Sequence, residues 1–188
     1  MLRWLLAFGC SLCLAWAPRL GAQTATSKEY EIKAAFIYRL TQFMEWPTNR
    51  FSSSSEPITL CIVGQDPFGS AIDTVLKNQK IGVRDFQIKR LAASANTGHT
   101  NCHLLFMGAS AASETGKIVS ALRDQAVLTV GEEEEFTRKG GHVRLFIQDN
   151  KLRFEINVAA FERSGLKLHS QVMKLATRVT RDGKDVKK

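Results

Sequence analysis

Little in this 188-residue sequence points to covalent chemistry. There is no Gly-x-Ser-x-Gly elbow, no P-loop, no His-Glu-x-x-His and no Gly-x-Gly-x-x-Gly, so the common hydrolase, nucleotide, zinc and dinucleotide readings have no motif behind them. Histidine is scarce: only His99, His103, His142 and His169, without catalytic or metal-ligand spacing. His103 and His142 open apolar stretches and read as residues at the edge of a core. Nothing calls for a cofactor or a metal. No apolar run reaches the roughly 20 residues that span a bilayer. Proline is rare at four residues, which excludes extended proline-rich segments.

What is present at the N-terminus is a leader. Arg3 precedes an apolar run from Trp4 to Trp16, and Leu20-Gly21-Ala22 ends in the small residue a signal peptidase prefers. Neither Cys10 nor Cys13 has the small-residue approach of a lipid-attachment site. The expectation is a signal peptide over residues 1–22, with Ala25 as a second cleavage point, and export as a soluble protein. One folded domain follows over 28–180, then a basic, flexible tail over 181–188. Removing Arg3 and Arg19 lowers the formal charge from +8 to +6. No basic cluster is interleaved with aromatics, so nucleic acid is not an expected partner. The basic residues at the end, Arg178 to Lys188, read as a solvated terminus.

Two cysteines stay with the exported chain, Cys61 and Cys102. An oxidising compartment favours their pairing, and a bridge would close a loop of about 42 residues, worth roughly 4 kcal/mol in the loop-entropy model. A redox or metal role would need a Cys-x-x-Cys or nearby histidines. Cys61 has neither, and His103 beside Cys102 would point to the opposite face of a strand.

The organising stretch is Glu29 to Pro47, EYEIKAAFIYRLTQFMEWP. Ile32, Phe36, Leu40 and Phe43 recur at helical spacing, with Tyr30, Ala34, Ile37 and Met44 widening the apolar stripe. Ser27 is the expected N-cap and Pro47 the stop. Beyond it, ITLCIV (58–63), HLLFM (103–107) and AVLTV (126–130) are continuous apolar strands, alternating with helices over about 66–76 and 110–123. That is the grammar of a sheet covered on both faces. Then come a hairpin, 142–148 and 151–156, turning on Asp149-Asn150, a helical turn capped by Asn157, and a last helix from Ser170 to about Val179. The fold class is α/β: a single-domain sandwich, a mixed sheet of about six strands with helices on both faces.

Candidate binding residues are few. Trp46 leaves the first helix as a large amphipathic ring, suited to packing or to a ligand. In Leu166-Lys167-Leu168-His169, alternation puts Lys167 and His169 on one side, where they either hold a small anion or face water. Arg39, near Trp46, offers the same chemistry. Glu132 to Glu135 lacks the alternation of a calcium loop and reads as a solvated turn.

Taken in order, KAAFIYRLTQF with EWP, CIVGQDPFG, Cys102-His103, AVLTVGE, GGHVRLFIQDNKLRFEIN and LKLHSQVMKLA resemble the YfiR-type family of exported bacterial proteins over about residues 28–180. The resemblance implies a single α/β sandwich and a binding protein, not an enzyme. Its function would be to repress a membrane-anchored diguanylate cyclase by docking on that enzyme's periplasmic sensor domain, keeping cyclic-di-GMP and biofilm formation low. It also implies that Cys61 and Cys102 form the family's first disulfide, whereas the second has no cysteines here. The family's pocket for small aromatic ligands would fall at Trp46, Pro47, Lys167 and His169. Phe51, Phe136 and Phe161 are candidates for an exposed docking surface, and a homodimer is compatible with the reading. The alternative is an envelope solute-binding or scaffold protein for a small aromatic or anionic ligand.

Overall fold

Strands without polar alternation need cover on both faces, and the chain supplies it. The computed structural model describes residues 20–94 and 98–186, with side chains from Ser27 onward. In chain order the elements are α1 (Leu20–Gln42), β1 (Met44–Glu45), β2 (Ile58–Val63), α2 (Ser70–Leu76), β3 (Lys80–Ile81), β4 (Arg84–Leu91), β5 (Leu104–Met107), α3 (Thr115–Ala121) and β6 (Leu128–Gly131). After these follow β7 (Val143–Gln148), β8 (Lys151–Asn157), α4 (Val158–Ser164), β9 (Lys167–Leu168), α5 (Ser170–Leu175), β10 (Arg178–Arg181) and β11 (Lys184–Asp185). The expected leader lies outside the described residues, except that Leu20–Ala22 already belong to the backbone of α1.

Nine strands form one mixed sheet in the order β11-β10-β8-β7-β6-β5-β2-β4-β3. The five strands from β4 to β7 in that order run parallel to one another. β8 returns antiparallel from β7 through Asp149 and Asn150, both at positive φ as a tight hairpin requires. All of β2, β5 and β6 is buried. On one face Leu60, Ile62, Leu104, Phe106 and Val130 pack with Ala34, Ile37 and Leu40 of α1 and Ile72 and Leu76 of α2. On the other, Cys61, Val63, Leu105 and Met107 pack with Ile118, Val119 and Leu122 around α3.

The sheet is larger than the six strands expected, because short edge strands carry no periodicity of their own. The segment 170–179, expected as one helix, leaves helical geometry at Ala176, where ψ is 141°. Its continuation pairs parallel to β8, and Thr177 N donates to Phe154 O at 2.8 Å. Leu175, expected inward, is 76% exposed. Backbone pairing with an open strand edge outweighs a weak helical repeat. Residues 181–185 likewise form β11 and its turn rather than running on as a tail, with Arg181 forking onto Glu162 at 2.6 and 2.7 Å. Lys187 and Lys188 lie outside the described residues.

Two further expectations are corrected. The buried side of α1 is Lys33, Ala34, Ile37, Leu40 and Thr41, while Ile32 and Phe43 stand 45% and 41% exposed. The helix also ends at Gln42, and Met44–Glu45 form a strand. Phe136 and Phe161, expected at the surface, are buried, and Phe51 is half-buried. Phe136 fills a slot between two glycines: a Cβ on Gly131 would sit 2.3 Å from its ring, and one on Gly141 2.1 Å. Cys61 and Cys102 are bridged, with Cα atoms 5.9 Å apart, tying the buried strand β2 to the segment that enters β5.

Candidate functional site

The two segments singled out from sequence meet. β1 and β9 form a separate antiparallel ribbon with Met44 opposite Leu168 and Glu45 opposite Lys167. His169 N donates to Phe43 O at 3.0 Å, extending the pairing by one residue. The register then sets Phe43 beside His169 at one end, and their rings lie 6.2 Å apart. At the other end Pro47 backs Gly165, whose positive φ of 71° ends α4.

The ribbon does not gather the five candidate side chains into one pocket. Trp46 is half-buried; its Nε1 donates to His103 O at 3.3 Å and its ring meets Phe51 edge-on. Lys167 and His169 are exposed, as alternation requires, with Leu166 buried. His169 Nδ1 accepts from Gln171 N at 3.4 Å and caps α5, which opens at Ser170 as expected. Arg39 is exposed, bonded to Gln42 Oε1 at 3.1 Å and lying over the Tyr38 ring. Among these residues only Lys167 lines the adjoining cleft, a cavity of about 650 Å³ walled by Val158, Phe161, Leu166, Leu168 and Met173.

The histidines expected at the core edge are deep and neutral. His142 Nδ1 accepts from Thr129 N, so Nε2 carries the proton and bonds Ser164 Oγ at 2.9 Å. Burial pushes its pKa down to about 3. His103 Nδ1 accepts from Thr59 N at 3.0 Å, and its ring stacks on Phe51. Burial, aided by Arg50, lowers its pKa to about 4. Both are committed to holding strand ends together.

In open parallel sheets a ligand crevice forms beyond the strand C-termini where the strand order reverses. Here that point lies between β2 and β5. Gln65 N donates to Ser110 Oγ across it at 2.9 Å, and a Cβ on Gly64 would fall 2.6 Å from that oxygen. Tyr30 of α1 packs on Phe68, which packs on Phe106. Lys33 bridges Glu29 and Glu132 there, with Tyr30 Oη donating to Glu132 at 3.2 Å. The chain's own side chains occupy the place.

A family model described as YfiR/HmsC-like matches residues 30–177. The match takes in every strand of the sheet except β10 and β11, together with the whole β1–β9 ribbon. The chain belongs to the YfiR/HmsC-like family. That family is regulatory rather than catalytic and periplasmic, and among the described residues no helix is long and apolar enough to cross a membrane.

Sequence reasoning missed two groups in this family member. Arg50 donates to Ala126 O, Thr100 O and Cys102 O, pinning the loop after Trp46 to the sheet. Lys33 and Glu132 form the buried pair at the strand ends. A signal existed for the second: Lys33 is four residues before Ile37, so it lies on the inward face and needs a partner. The acidic run supplies it, and Glu133 and Glu135 answer Lys139 and Arg138.

Proposed function

We infer that this protein is a periplasmic repressor that docks on the sensor domain of a membrane-anchored diguanylate cyclase, keeping cyclic-di-GMP synthesis and biofilm formation low. The observation that carries the reading is the family match over nearly the whole fold. Further support comes from the outward side of α1. Ile32, Ala35, Arg39 and Phe43, spaced three, four and four apart, form an exposed apolar and basic stripe that ends at His169. A repressor of this kind works by binding one conformer of its partner better than another. Deleting the gene is expected to raise cyclic-di-GMP, and the Phe43→Asp chain is expected to fail to restore the low level. An unchanged nucleotide level in the deletion strain removes the reading.

A second reading, a solute-binding protein for a small aromatic or anionic ligand, is favoured by the apolar cleft beside β9, with Lys167 at its wall. Titration with a small aromatic carboxylate, followed by Trp46 fluorescence, tests it. Saturable binding weakened by Lys167→Ala supports it; a flat titration removes it.

A further inference from the structure

A second concave site lies away from the ribbon. α3, the turn before β7, α4 and the β10–β11 turn surround a cavity of about 310 Å³, the lower end of the range for small-molecule sites. Four cationic side chains line it, Arg123, Arg138, Lys139 and Arg163, against a single lining carboxylate, Asp182. Val119 gives it one apolar wall.

The guanidinium donors there are only partly used. A guanidinium carries five N–H donors in a fixed fork. Arg138 engages Glu135 through Nη1 alone, at 3.0 and 3.1 Å. Arg163 engages Asp182 through Nη1 alone at 2.8 Å, and its Nε is buried with no hydrogen-bond partner. Arg123 makes no ion pair among the described residues. Asn157, by contrast, has both ends satisfied, by Thr137 O and Ala160 N, and serves as rigid floor. Partly unsatisfied guanidinium forks lining a concave site are suited to planar or tetrahedral oxyanions, which accept two parallel hydrogen bonds per arginine.

We propose that this basin binds a small, doubly charged oxyanion of the phosphate type, either free phosphate or the phosphoryl group of a small metabolite. The site is independent of cyclase docking: it shares no residue with the β1–β9 ribbon or the outer stripe of α1.

Calorimetric titration of the leaderless chain with sodium phosphate, against sodium chloride at equal ionic strength, tests the proposal, with glycerol phosphate as a second probe. Saturable binding is expected, weakened about tenfold or more by Arg123→Gln and by Arg163→Gln. Glycerol phosphate binding more tightly than phosphate assigns the site to a phosphomonoester, and equal or weaker binding assigns it to free phosphate. Absence of saturable binding for both probes overturns the proposal, as does an affinity unchanged by Arg123→Gln. That variant removes no ion pair, so its fold is not at risk.

Discussion

Lys33 and Glu132, 99 residues apart, meet where the parallel strands end, with only 4% and 12% of their side chains exposed. The pair joins the first helix to the end of β6 and takes the position at which open α/β sheets bind ligands. A buried ion pair is weak evidence for stability in itself, but removing one partner strands the other.

Lys33→Met is therefore expected to destabilise by about 3 kcal/mol, and Lys33→Met with Glu132→Leu by clearly less. Urea unfolding of the two variants and of Glu132→Leu closes the double-mutant cycle. Additive losses would show that the pair carries no coupling.

The two buried histidines set an acid limit. Their folded pKa values, about 4 for His103 and about 3 for His142, lie below the ordinary value of 6.5. Below pH 6.5 the unfolded chain takes up protons that the folded chain refuses. Stability is thus complete above that pH and falls as pH drops toward 4, by about 1.4 kcal/mol per unit for each histidine. His142→Gln will be less stable at neutral pH but should show a shallower slope between pH 6 and 4. An identical slope in unfolding free energy would contradict the assignment.

The slot around Phe136 tolerates no added methyl. Gly141→Ala forces a Cβ into the ring, and the expected loss is about 2–3 kcal/mol. Phe136→Ala empties the slot at about 3–5 kcal/mol. The combined variant should lose less than the sum, since the ring that clashes is gone. Thermal unfolding of all three decides it.

Replacing Cys61 and Cys102 with alanine removes the single bridge seen among the described residues. The expected loss is about 2–5 kcal/mol with the fold retained, because the sheet and both cores are built without it. A fully unfolded reduced chain at 25 °C would show that the bridge is essential to folding rather than reinforcing.

The core strands were legible because their signal is local. ITLCIV, the last four residues of HLLFM and the latter half of AVLTV are continuous apolar runs, and each falls in a strand of the parallel part of the sheet. The hairpin at Asp149-Asn150 and the cap at Asn157 were legible from residue types that favour those backbone angles. Trp46, Lys167 and His169 stood out by residue type and alternation, and the resemblance joined them with Pro47 into one pocket. The structure brings their two segments side by side but leaves Trp46 and His169 at opposite ends of a ribbon.

What the sequence alone determined was the alternation of apolar runs and helices, the pairing of Cys61 with Cys102, and the family. Tertiary structure decided the rest: which side of α1 faces inward, why Phe136 is hidden, and how Arg123 and Arg163 come to share one basin. Periodicity reports that a helix has an apolar side but not the rotation at which it docks. That angle depends on partners distant in the chain, and a lysine moves inward only because a glutamate 99 residues away waits for it.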